Sequence, residues 1–151
     1  MDNQQSIECL NDLLTKAYDA EQGFKQAAER AKDHHPDLAW FFNKQSDQRL
    51  SFGHEIKQLI TQYGGVPDKG SSVTAKAHQV WIAVKDALTP DHDGEAILEE
   101  CVRGEKAALE EYDEKLKCPN LQQDVKALIT KQRAAVASSL DATKAKEKAA
   151  G

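Results

Sequence analysis

Apolar residues recur in alternating steps of three and four along most of the chain, which is the period of an amphipathic helix. Segment A, from about Asn3 to Asp33, carries the stripe Ile7, Leu10, Leu14, Ala17, Glu21, Phe24, Ala28 and Ala31. Segment B, from Pro36 to about Tyr63, carries Leu38, Phe42, Gln45, Arg49, Phe52, Ile56, Leu59 and Tyr63. A shorter helix is predicted over Val73 to Leu88, with Val73, Ala77, Val80, Val84 and Leu88 on one side. Segment C ends near Lys117 and has the stripe Leu98, Cys101, Glu105, Ala108 and Tyr112. Segment D runs on to about Ala142.

The breaks between segments have physical causes. "HHP", His34 to Pro36, ends segment A, because the residue before proline leaves the helical region while proline suits a first helical turn. "GGVP", Gly64 to Pro67, stops segment B, with glycine supplying a left-handed cap. Ser71 or Ser72 suits the N-cap of the short helix, and "TPDHD" breaks the chain again at Thr89 to Asp93. "CPN", Cys118 to Asn120, reads as a tight corner, and Asn120 with Gln123 has capping-box spacing. The final "TKAKEKAAG" has no apolar stripe and is expected to fray.

Antiparallel helices joined by a tight corner should pair residues whose numbers add to a constant. The two stripes of A and B do so, pairing Leu14 with Ile56 and Glu21 with Arg49. Those of C and D do so as well, pairing Glu105 with Gln132 and Tyr112 with Val125. Two αα-hairpins follow. A crossover helix of about sixteen residues spans roughly 24 Å, enough to return along a bundle. The expected fold is therefore all-α: a ferritin-like four-helix bundle of two antiparallel hairpins joined by a crossover with its own short helix. Residues 1–142 form its single domain and residues 143–151 a frayed tail.

Composition agrees with this. Charged residues make up 30% of the 151 and aromatics 6%, and Ala, Leu, Lys, Glu and Gln favour helix. The longest apolar run, "VWIAV" at residues 80–84, is far too short for a membrane span. No N-terminal stretch has a signal-peptide layout. A net charge of −5 argues against nucleic acid as a partner. Three cysteines without a C-x-x-C spacing fit free thiols in a reducing cytoplasm. Charge is uneven: residues 91–117 hold ten acids and four bases, residues 120–151 six bases and three acids. Pairing inside the fold accounts for that asymmetry.

The candidate chemistry lies where polar residues interrupt the stripes. Glu21, Arg49, Glu105 and Gln132 fall near the middle of their helices and form an expected core polar layer. Ferritin-like bundles hold di-iron sites at that level, using Glu-x-x-His on two of the helices. The sequence has no Glu-x-x-His: Glu55 is followed at plus three by Gln58, and Glu105 by Ala108. Arg49 is a fixed cation where metal charge belongs. The layer is therefore expected to be structural, with no metal or other cofactor, iron being the alternative. His34 and His35 are a solvated corner or a surface metal site. His78 and Trp81 share a face of the crossover helix. Cys101 is a core residue, and Cys118, in a corner, is the more reactive thiol. No phosphate loop, nucleophile elbow or triad spacing is present.

Several strings carry a resemblance. "LNDLL", "AEQGFKQAAE", "FF" followed by "RLSFGHEI", "YGGVPDKGS", His78 with Trp81, and "AILEECVRGEKAALEEY" resemble a bacterial family of ferritin-like fold, catalogued as a domain of unknown function. The resemblance covers most of residues 7–116. The family's Glu-Arg-Gly-Glu-Asp string becomes Val102-Arg103-Gly104-Glu105-Lys106 here, and its late His-Asp becomes Leu140-Asp141. The resemblance implies the bundle and supplies no catalytic residues. The expectation is a metal-free, non-catalytic bundle acting through its surface or as a homo-oligomer, its protein partner undefined. The alternative is a carboxylate-bridged di-metal redox or storage protein using Glu21, Glu105 and Glu55. A third reading is a partner-binding module presenting Trp81 and Ile82.

Overall fold

The computed structural model describes residues 3–68 and 93–150. The expected crossover helix, Val73 to Leu88 with His78 and Trp81, lies outside these described residues. Four long helices are present: α1, Gln4–Ala31; α2, Pro36–Gln62; α3, Gly94–Leu116; and α4, Gln123–Ala150. All of the described secondary structure is helical.

The helix ends follow local chemistry. Pro36 opens α2 at its first turn. At the other end of α2, Gly64 takes φ 83°. The Gly64 N–H reaches the Thr61 carbonyl and the Gly65 N–H reaches that of Ile60 at 2.9 Å, a Schellman closure. Gly65 also allows close approach, since a Cβ there would lie 2.7 Å from Ile7 Cγ2. Asp93 caps α3, its Oδ1 accepting from the Ala96 N–H at 3.0 Å. Asn120 does not cap α4. It takes the left-handed φ of 64° in a wider turn, and α4 begins at Gln123.

Cross-helix contacts give the topology. Asp12 on α1 pairs with Lys115 near the end of α3, so these two helices run oppositely. Gln62, which ends α2, meets Asp124 at the start of α4. The N-termini of α2 and α3 adjoin, with Gly94 against Leu38 and His35. The helices thus run up, down, down, up. Asp68 sits beside Asn11 near the α1 N-terminus, whereas Asp93 sits beside the α2 N-terminus, so the chain between them joins opposite ends of the bundle.

Both hairpins exist, but in a different register from the expected one. Ser46, not Arg49, lies opposite Glu21, its hydroxyl donating to the Glu21 carbonyl at 2.9 Å. The shift is three positions, about one turn. Ser139, not Gln132, meets Glu105, and Gln132 meets Tyr112. That shift is seven positions, about two turns. Between α3 and α4 the chain turns through Asn120, over residues 117–122.

The same shift explains the last helix. With Ser139 beside Glu105, the residues after Ala142 lie alongside the first turns of α3. Thr143 is fully buried and donates to the Ser139 carbonyl at 2.8 Å, and Lys146 Nζ sits 4.8 Å from the centre of the Phe41 ring. The last helix runs as far as Ala150.

Two apolar clusters fill the interior. One contains Phe24, Phe41, Phe42, Ile97, Leu98 and Cys101; the other contains Leu10, Leu14, Phe52, Ile56, Tyr112 and Ile129. All five stripe positions of α3 are buried. The uneven charge is partly matched within the fold. Arg133 on α4 donates to Asp113 on α3 at 2.6 Å, holding that carboxyl below its ordinary 3.8. Lys131 on α4 reaches Glu55 on α2 at 3.1 Å.

Candidate functional site

Between the two apolar clusters lies a buried polar centre. It forms because residues of three helices interrupt their apolar stripes at the same level: Arg49 on α2, Glu105 on α3 and Ser139 on α4. Arg49 is 2% exposed and Glu105 not at all. Arg49 Nη2 pairs directly with Glu105 Oε1. The Ser139 hydroxyl donates to the second carboxylate oxygen, Oε2. The Gln45 amide lies 2.6 Å from that hydroxyl. A hydroxyl has one proton, which the carboxylate takes, so the Gln45 NH2 is best oriented toward Ser139.

Aromatic faces enclose the guanidinium. Its central carbon is 5.5 Å from the centre of the Phe24 ring and 5.8 Å from that of Phe52. A guanidinium is planar and weakly hydrated, and it gains from such π faces when desolvated. An ammonium could not fill this site in the same way.

Gln132 belongs to an adjoining polar layer. It accepts from the Tyr112 hydroxyl at 2.6 Å, and its NH2 donates to Glu55 at 3.1 Å and to the Phe52 carbonyl at 3.3 Å. Its amide is thereby well satisfied. Glu21 is buried at 9% exposure, but its ion pair is with Lys25 on its own helix at 3.5 Å. The four expected residues are thus all buried, but only Arg49 and Glu105 are directly joined.

Ser139 was missed as a site residue because the pairing predicted from the sequence placed Gln132 opposite Glu105. Its signal was a serine on the buried face of the final helix. Asp19, also buried on α1 at 1% exposure, gave no signal, since it lies two positions from both Ala17 and Glu21 on the alternating stripe.

These residues do not fit a di-metal site. Glu105 spends both oxygens on Arg49 and Ser139, Glu55 is held by Gln132 and Lys131, and Glu21 pairs with Lys25. The three carboxylates thus have separate partners. Among the described residues, no three His, Cys, Asp or Glu side chains form a group able to hold a metal ion. His35 lines a surface cleft with Asp37, Asp93, Glu95 and Lys146, and that cleft falls under the same statement.

Burial also affects the protons around this centre. It pushes the Cys101 thiol well above its ordinary 9.0, with the charges of Glu105 and Glu100 adding to the rise. It raises the Tyr112 hydroxyl above 10.0, Arg49 opposing and Glu55 reinforcing the rise. Cys9, near the start of α1, rises to about 12, first through burial and then through the neighbouring Cys118 thiol. Groups raised on folding stabilise fully below their unfolded values and lose that contribution as pH climbs through their folded values. For Cys9 the loss spans 9.0 to about 12. The thermal midpoint is therefore expected to fall steadily above about pH 9. Melts between neutral and strongly alkaline pH check this, and a flat profile throughout would refute it.

The described helices have no segment long and apolar enough to cross a membrane. Antiparallel hairpins, parallel central helices and a chain joining opposite ends define a ferritin-like four-helix bundle. A solved structure of a mutant of Mycobacterium smegmatis Dps1 has the same fold, with a TM-score of 0.78 over 97% of this chain and 99% of that one, at 13% identity. Residues 5–118 match the family described as "Domain of unknown function (DUF2383)", and the chain belongs to that family. The matched region includes Arg49 and Glu105 and ends before α4, which supplies Ser139 and Gln132. No curated protein matches the sequence.

Proposed function

We propose that this protein is a non-catalytic ferritin-like bundle whose centre is neutralised by its own guanidinium instead of by metal ions. It acts through its surface, as a homo-oligomer or with a protein partner, in a bacterial cytoplasm. The observation that carries the reading is the enclosed Arg49–Glu105 pair, where a fixed cation uses the carboxylate that a metal would need. The odd number of cysteines supports a reducing compartment.

The test is the metal content of protein purified without chelator. Iron and manganese are expected well below one equivalent per chain, and two bound equivalents of either would overturn the proposal. Light scattering on the same sample addresses association. A mass that is a multiple of the 16.7 kDa chain is expected, and a monomer would leave the protein partner as the remaining form of the proposal.

A further inference from the structure

At the end of the bundle where α1 begins and α3 finishes, two thiols face each other. Cys9 lies in the second turn of α1, and Cys118 lies two residues beyond α3. Their Sγ atoms are 3.0 Å apart, although 109 positions separate them in sequence. The surrounding chain is tied across the same gap. Lys115 holds Asp12 at 2.7 Å, and Gln122 bonds both Ser6 and Asn3. A disulfide needs Sγ atoms about 2.05 Å apart, so closure requires roughly 1 Å of approach. The thiols differ in access, Cys9 being buried and Cys118 partly exposed. Cys101 cannot substitute for either partner. It lies in the apolar cluster of Phe24 and Phe42, seventeen positions before Cys118, or roughly 25 Å along a helix.

We propose that Cys9 and Cys118 form a reversible intramolecular disulfide by exchange with a low-molecular-weight disulfide, Cys118 attacking first and Cys9 resolving. The Cys118 thiolate attacks one sulfur of the small disulfide. A mixed disulfide forms and one small thiolate leaves, taking up a proton. The Cys9 sulfur then attacks the Cys118 sulfur, gives up its own proton, and expels the second small thiol. The balance is two protein thiols and one small disulfide converted to one protein disulfide and two small thiols.

The order follows from access and protonation. Cys9 is held protonated by burial and by its contact with Cys118. The Lys115 ammonium beside it favours the Cys9 thiolate. The product clasps α1 to the corner between α3 and α4, closing a loop that contains the whole crossover connection. The clasp acts away from the Arg49 centre and is independent of whether metal binds there.

The experiment treats the reduced full-length chain with oxidised glutathione, weighs it, quenches it by alkylation in denaturant, and maps the peptides without reduction. Wild type is expected to lose two hydrogens in mass, retain no glutathione, leave Cys101 as the sole alkylated cysteine, and yield a Cys9–Cys118 peptide. Cys9→Ala is expected to trap glutathione on Cys118, and Cys118→Ala to yield no disulfide. The oxidised chain should melt about 5–10 °C higher than the reduced one. Wild type that keeps glutathione on Cys118, or that crosslinks between chains at Cys118, would overturn the proposal. The wild-type peptide map decides the matter even if a variant fails to fold.

Discussion

Replacing Arg49 with alanine is expected to destabilise the bundle by about 3–5 kcal/mol, the usual cost of removing one member of a buried ion pair. The damage comes mainly from what remains. Glu105, with no exposed surface, would keep only the Ser139 hydroxyl for a buried charge. Domains of this size have only about 5–15 kcal/mol of net stability, so such a loss would be large. Urea denaturation measures it. The double replacement Arg49→Met with Glu105→Leu should recover most of the loss, because apolar pairs of similar volume often equal or exceed a buried ion pair. Ser139 and Gln45 would still bond each other, so few orphaned groups would remain. A single variant costing under about 1 kcal/mol would show that the pair is hydrated and stabilises like a surface bridge.

Phe24→Ala is the second large expected effect, again about 3–5 kcal/mol. Phe24 is completely buried, packs on Phe42 with ring centres 6.3 Å apart, and forms one wall of the guanidinium site. Its loss would open a cavity and admit water beside the ion pair. Phe24→Leu separates these contributions, since it retains much of the apolar volume but removes the π face. A double-mutant cycle between Phe24→Leu and Arg49→Met should give a coupling of about 0.5–2 kcal/mol. Zero coupling would mean that the ring only fills space.

The two results bear on the proposed function together. If the cation matters because it neutralises Glu105, the double apolar variant should fold as one bundle with the same association state. If the variant instead populates several conformations, detected as multiplied amide resonances, the pair also selects helix register. Register selection by a buried polar group is known in coiled coils and is testable here.

Much of the architecture was legible in the residues. The stripes on α1, α2 and α3 follow the helical period, and their side chains are buried nearly as expected: Leu10, Leu14, Phe24, Phe42, Ile56, Leu98 and Cys101 are all in the core. Proline and glycine marked the ends of α2 because each restricts or frees φ in a known way. The polar interruptions Glu21, Arg49, Glu105 and Gln132 were visible for the same reason, as charges or amides on otherwise apolar faces.

Pairing was not legible to the same degree. The 3.6-residue period says which face of a helix is buried, but sliding one helix by one or two turns against another leaves that face buried. The sequence alone therefore determined three buried helical faces, two hairpins and a fixed positive charge among the core residues. Tertiary structure decided the partners. In the structure α4 lies two turns from its expected register, which joins Ser139 rather than Gln132 to Glu105. Tertiary structure also brought Cys9 to Cys118, because the contact depends on how far each helix extends before the chain turns, and no local pattern records that distance.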